Sequence, residues 1–388
     1  MVTGSKELIR DMNSTLVIET ILNHGTISRA NISKEIGLTK ATISTIVANL
    51  IEKKIIIEVG SDNTKLGRKP ILLSINGDAA YVISIDLGVD KISAMSTNLI
   101  GQINVEIDRV TPDNNSSIKK TLIDIIEEIN LKSKPSHYGL VGITLGIHGV
   151  VKDNKVFFTP YYSLVNTDLQ TSLEDYFDTN VFLENEANLS VLGESMFLPA
   201  EYKNIANISV HSGVGLGLLI DDELYTGFSG YAGEIGHTII EPGGRPCPCG
   251  NEGCLEQYLS EQALLKEYKD KKGIENISFE DFSLDYKEGN KYAKETVEKF
   301  IKYMAICVNN ILNTYNPDVV IINSSFTSNF PDLTKEIENS LNSRLNSVLH
   351  VYPSRLKNSG RLLGGASMAI KDFLEINYMQ FKYSDIIN

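Results

Sequence analysis

Gly233-Glu234-Ile235-Gly236-His237, then Cys247-Pro248-Cys249-Gly250-Asn251-Glu252-Gly253-Cys254-Leu255-Glu256, is the stretch on which the reading of this chain turns. It gathers one imidazole (His237) and three thiols (Cys247, Cys249, Cys254), the Cys₃His donor set of a tetrahedral zinc site. A disulfide is the competing reading. It leaves one of the three clustered thiols odd, and reducing compartments disfavour it. Four protein ligands leave no open position for water, so the expected zinc is structural, not catalytic, and a zinc enzyme is a poor reading. The carboxylates Glu234 and Glu256 flank the ligands on either side.

Outward from this stretch the texture is that of alternating strands and helices. Residues 82–88 form an apolar run ending in Asp86 and Gly88, and 92–95 and 101–107 read as further strands. A helix is expected over 118–130 and a buried strand over 138–146. The alternation continues through 181–183, 187–194, 205–210 and 216–220, the pattern of an α/β fold. The fourth cysteine, Cys307, shares a helical spacing with Phe300, Met304 and Ile311 and reads as core.

The spacing of His237, Cys247, Cys249, Cys254 and Glu256 resembles the signature of the ROK family (repressors, open reading frames and sugar kinases). Further stretches carry the likeness. Ile143-Thr144-Leu145-Gly146-Ile147-His148-Gly149-Val150 resembles the family's sugar-side glycine loop, and Glu184-Asn185-Glu186-Ala187-Asn188 its Glu-Asn-Asp-Ala-Asn segment. Gly213-Val214-Gly215-Leu216-Gly217 resembles its second phosphate loop, and Leu363-Gly364-Gly365-Ala366-Ser367 its C-terminal helix start. The resemblance implies an actin-like (ribonuclease H-like) two-lobed ROK domain over 77–388, with one lobe about 77–185 plus 360–388 and the other about 186–359. It also implies a sugar held by Asn185, Glu186, Glu234, His237 and Glu256. Carboxylates and amides suit a polyhydroxylated ligand, because each can engage hydroxyl groups at fixed geometry. His237 then serves twice, one ring nitrogen on zinc and the other on a hydroxyl, with the metal fixing its tautomer.

The chain departs from the kinase pattern at two places. A ROK kinase carries Asp-x-Gly-Gly-Thr at its first phosphate loop; here the residues are Asp86-Leu87-Gly88-Val89-Asp90, so bulk and a negative charge stand where phosphates are expected. Glu186 stands at the position of the kinase's general base, one methylene longer than aspartate. No catalytic residue is therefore expected. The alternative is a ROK-type ATP-dependent sugar kinase with an appended DNA-binding domain. The longer Glu186 also reaches toward the space of a hexose hydroxymethyl group, so the expected effector is a pentose, xylose rather than glucose. His148 replaces the loop's usual proline, with no role evident from sequence.

Residues 1–76 read as a winged helix-turn-helix. Leu8, Met12, Leu16, Val17 and Ile21 recur at helical spacing. Ser28 and Thr39 are N-cap candidates for helices over 29–36 and 40–53, with Gly37 closing the first. Ile43, Val47, Leu50 and Ile51 form the inner face of the last helix; Lys40, Thr42, Ser44, Thr45 and Asn49 form the outer, polar face, suited with Arg29 to a DNA groove. Strand-like stretches at 55–59 and 71–73 flank a turn with Lys65, Gly67, Arg68, Lys69 and Pro70, a cationic wing tip that can enter an A·T-rich minor groove. A plain helical bundle with a solvated face is the alternative, and the adjoining hairpin argues against it.

Charge agrees. Of 388 residues with net charge −13, residues 1–76 hold 10 Lys+Arg against 7 Asp+Glu, and the remainder 26 against 42. A mildly basic head on an acidic body fits a local contact with double-stranded DNA. No apolar run nears the about 18 residues of a membrane span, and the N-terminus lacks a signal-peptide core, so a cytoplasmic protein is expected. Helix-turn-helix proteins usually read paired half-sites, so a homodimer, or a dimer of dimers, is expected.

Overall fold

The computed structural model describes residues 6–61, 70–112, 114–160, 162, 164, 167–341 and 350–381. The chain divides into two compact units, Met1–Glu184 with Leu362–Asn388, and Asn185–Arg361.

The first unit opens with α1 (Lys6–His24), β1 (Ile27–Ser28), α2 (Arg29–Ile36), α3 (Lys40–Glu52), β2 (Ile56–Ser61) and β3 (Ile71–Ile75). The short-range signals act as read. Ser28 accepts from the Asn31 N–H, Thr39 accepts from the Thr42 N–H, and Gly37 ends α2 in the left-handed region at φ 73°. The strands form an antiparallel sheet in the order β1-β3-β2, with Ile56 opposite Ile75. Val17, Ile21, Ile32, Ile43, Val47 and Leu73 are fully buried, each contributing about 1.5–3 kcal/mol. The helical spacing read over 8–21 falls on α1; its buried face is Val17, Ile18, Ile21 and Leu22, whereas Leu8, Met12 and Leu16 are 50%, 59% and 43% exposed. The wing-tip residues Lys65, Gly67, Arg68 and Lys69 lie outside the described residues.

The body of this unit follows as β4 (Tyr81–Leu87), β5 (Lys91–Asn98), β6 (Ile103–Val110), α4 (Asn115–Lys132), β7 (Leu140–Ile147), β8 (Val150–Lys152), β9 (Lys155–Phe158), α5 (Leu169–Phe177) and β10 (Val181–Asn185). Five strands lie in the order β10-β7-β4-β5-β6, with β4 parallel to β7 and antiparallel to β5. Ile83, Ile85, Ile143 and Leu145 pack against Leu122, Ile125 and Ile129 of α4. The N-terminal helices are tied to this body. Glu19 accepts the backbone N–H groups of Asn377 (2.9 Å) and Tyr378 (3.0 Å), Thr15 donates to the Glu375 carbonyl, and Tyr138 donates to the Lys53 carbonyl.

The second unit holds α6 (Glu186–Ser195), β11 (Ile205–Val210), β12 (Val214–Ile220), β13 (Glu223–Leu224), α7 (Glu256–Leu259), α8 (Glu261–Lys272), α9 (Phe279–Lys287), α10 (Lys291–Tyr315), β14 (Val319–Ser324), α11 (Ser325–Asn329), α12 (Leu333–Asn339) and β15 (Val351–Pro353); α13 (Ser359–Leu374) begins in it and runs into the first unit. Its sheet order is β13-β12-β11-β14-β15, with β11 and β14 parallel. Phe300, Met304, Cys307 and Ile311 of α10 are buried against it, as expected for Cys307. Among the described residues no helix is long and apolar enough to cross a membrane.

Candidate functional site

The site is assembled along β12. Gly233 sits at φ 89°, and a Cβ there would run into the Leu216 carbonyl, so only glycine lets residues 233–236 lie flat on the strand. The Leu216 N–H donates back to the Gly233 carbonyl at 3.0 Å. This fixes Glu234, which precedes a 3-10 turn over Ile235–His237. The cysteine loop then closes on itself. Cys247 N–H donates to Asn251 O, Gly250 N–H to Cys247 O, and Leu255 N–H to Thr238 O, each at 2.9 Å. Glu256 follows as the first residue of α7.

The donor atoms of His237, Cys247, Cys249 and Cys254 all lie within 4.8 Å of one another. His237 Nδ1 is 3.6 Å from Cys247 Sγ, and Cys249 Sγ is 3.6 Å from Cys254 Sγ. A tetrahedron with metal–sulfur bonds of about 2.3 Å needs donor separations of this size. Burial pushes the Cys254 thiol up to about 12, and the neighbouring thiols push the same way. The Asn251 backbone N–H and the neighbouring thiols lower the Cys249 thiol instead, so a cation is needed chiefly to hold Cys254 as a thiolate. The residues fit a soft divalent ion.

His237 Nε2, on the other edge of the ring, is 3.8 Å from Glu234 Oε2. Burial raises the pKa of Glu234; His237 lowers it, and the nearby Glu186 and Glu256 carboxylates raise it further. Three carboxylates and an imidazole thus converge in one unit. Val214 N–H donates to Glu256 Oε2 at 3.4 Å. Asn185 caps α6, its Oδ1 accepting from Ala187 N–H (2.8 Å) and Asn188 N–H (3.2 Å). Glu186 differs from expectation. Its carboxylate curls back to accept the Ala187 N–H instead of extending, because a helix N-terminus attracts negative charge.

In the first unit, Asp86, next to last in β4, pairs with His148, which follows β7, at 2.9 Å in a largely buried contact. The Tyr162 hydroxyl accepts the His148 N–H and donates to the Leu87 carbonyl. Thr111 Oγ1 donates to Gly88 O, and Thr111 N–H to Asp90 O. The first glycine loop is closed by the chain's own groups.

On α3 the exposed face is Lys40, Ala41, Ser44, Thr45 and Ala48, with Thr42 and Asn49 half-buried along one flank. Ala41 and Ala48 were missed by a search for polar groups; a helical projection from buried Ile43, Ile46, Val47 and Leu50 would have found them. Arg29 is ion-paired with Glu58 of β2 at 2.9 Å. Arg68 and Lys69 are outside the described residues.

The sequence profile of the ROK family matches residues 82–372. The chain belongs to the ROK family. Over 380 residues it is 35% identical to the xylose repressor of Bacillus subtilis strain 168, spanning 96% of this chain and 98% of that protein. It is 25% identical over 353 residues to the DNA-binding transcriptional dual regulator NagC of Escherichia coli K12, spanning 88% and 87%. In structure it resembles a ROK transcriptional regulator homologous to the E. coli MLC protein (TM-score 0.79, 23% identity, 94% and 98% covered). It also resembles a ROK glucokinase of Streptomyces griseus (TM-score 0.67, 22% identity, 74% and 98% covered). These structural likenesses establish the actin-like ROK architecture. The near-full-length relatives are repressors, and this ROK chain is a sugar-responsive transcriptional regulator, not an enzyme.

Proposed function

We propose that residues 1–76 are a winged helix-turn-helix that binds an operator, that residues 77–388 bind a monosaccharide, and that the sugar sets operator affinity. The observation that carries this reading is the convergence of Glu186, Glu234, His237 and Glu256 beside a metal-ligand cluster, in a chain whose near-full-length relatives are repressors. The α3 face of Lys40, Ser44 and Thr45 enters the major groove, with Thr42 and Asn49 at its edge and the Arg68–Lys69 wing in the minor groove. Arg29 contacts DNA only if it exchanges Glu58 for phosphate. The exposed α1 residues Ile9, Met12 and Leu16 offer an apolar face to a second copy, supporting a homodimer.

The ion is zinc, which supplies structure and charge. His237, Cys247, Cys249 and Cys254 would hold it; with Nδ1 so engaged, His237 would offer Nε2 to the sugar beside Glu234 and Glu256. The sugar is a pentose, xylose. Five near-full-length relatives at 30–35% identity bear the name xylose repressor, against 25% for the N-acetylglucosamine repressor. The curled Glu186 withdraws support from the steric argument, so the pentose reading rests on those relatives.

Calorimetry tests this. D-xylose is expected to bind about tenfold or more tightly than D-glucose, and Glu256→Gln to weaken xylose about 10- to 100-fold, the cost of losing charged hydrogen bonds. Equal affinity for both sugars removes the xylose assignment. An unaffected Glu256→Gln variant removes the site.

A further inference from the structure

The glycines at 213, 215 and 217 outlast the loss of kinase chemistry, and the structure shows what needs them. None of the three lies in the left-handed region, so backbone geometry does not demand glycine there. What they provide is room. A Cβ at Gly213 would lie 2.7 Å from Glu256 Oε2. One at Gly215 would lie 3.1 Å from the Ala187 Cβ and 3.7 Å from Glu186 Oε1. One at Gly217 would run into the Ala187 carbonyl and the Val191 side chain. The motif therefore splits by role. Gly215 and Gly217 serve the packing of α6 on β12, where Ala187 lies against both, whereas Gly213 opens toward the Glu256 carboxylate.

We infer that Gly213 is a positioning residue of the sugar site, leaving the space into which the Glu256 carboxylate folds. This rests on the sugar-binding reading of that carboxylate. The effect runs through the ligand's partners, not the fold, because among the described residues beyond its chain neighbours a Gly213 methyl would meet just the Glu256 carboxylate, the far end of a flexible side chain. That carboxylate swings aside at little cost to stability. It loses the Val214 N–H and the place from which it would accept a sugar hydroxyl. A methyl at Gly217 has no such escape, since it meets backbone.

The test is a double-mutant cycle in the full-length protein, with D-xylose and D-glucose as calorimetric probes. Gly213→Ala is expected to weaken the better-bound sugar about tenfold or more, the loss of a charged hydrogen bond. Zinc content, melting temperature and sugar-free DNA affinity stay unchanged. Gly217→Ala lowers the melting temperature. Glu256→Asp shortens the side chain by one methylene and weakens binding on its own. In that background Gly213→Ala is expected to cost less than about threefold, because the shortened carboxylate no longer meets the methyl. Losses that simply multiply overturn the inference, as does a Gly213→Ala variant with wild-type sugar affinity or with lowered melting temperature. If Glu256→Gln itself leaves sugar binding intact, or the wild type binds neither sugar, the sugar-site reading fails first and takes the inference with it.

Discussion

Replacing Cys249 with serine is expected to cost the protein about one zinc per chain and to lower its melting temperature by about 10 °C or more. The choice of residue makes the result interpretable. Cys249 is exposed, whereas Cys247 and Cys254 are buried, so an oxygen in place of its sulfur disturbs no packing. Any large loss must pass through the metal. Structural zinc contributes an apparent binding free energy of about 10–16 kcal/mol in small sites, of which a larger domain with its own core loses only part. The loop keeps other ties, among them the Leu255 N–H to the Thr238 carbonyl and Arg245 to Glu267, so loss of the metal is expected to loosen it without unfolding the domain. Metal analysis of protein purified without added zinc, with thermal melts of both forms, checks this. A metal-free wild type with the same melting curve as the metal-loaded protein would refute it.

Thr45→Glu is expected to weaken specific DNA binding about a hundredfold while leaving sugar binding untouched. Thr45 lies on the exposed face of α3, and its hydroxyl donates to the Ala41 carbonyl one turn earlier. A glutamate there fits a solvated helix surface, so folding is preserved. In a DNA groove it places a negative charge among phosphates and loses any base contact. Fluorescence anisotropy with DNA selected from random sequence by the full-length protein measures the change. Wild-type affinity for that DNA would remove α3 from the interface.

Much of this was legible locally. Ser28, Gly37 and Thr39 act within a few residues of themselves, and their caps and helix boundaries follow from the sequence to within a residue. The metal cluster was equally legible, because its spacing is its signal. What failed was longer in range. The periodicity of α1 shows that a face is apolar but not what covers it, and Leu8, Met12 and Leu16 are exposed. His148 had no local partner to suggest its role. Asp86 lies 62 residues away and is brought to it by the parallel pairing of β4 and β7. Glu186 was read by its length, whereas its conformation is set by the N-terminus of its own helix. The glycines after β11 were visible as a motif, but the carboxylate that Gly213 makes room for starts a helix more than forty residues later.

The central claim is that a sugar held in the ROK domain changes the affinity of the N-terminal region for DNA. The most direct measurement is the affinity of the full-length protein for its selected DNA with and without saturating D-xylose, beside Glu256→Gln. The account predicts a change of about 5- to 150-fold in the wild type, the range of ordinary allosteric coupling. The variant should bind DNA as the wild type does without sugar and show no response to the same xylose concentration. DNA affinity unchanged by xylose, under conditions where calorimetry shows the sugar bound, would contradict it.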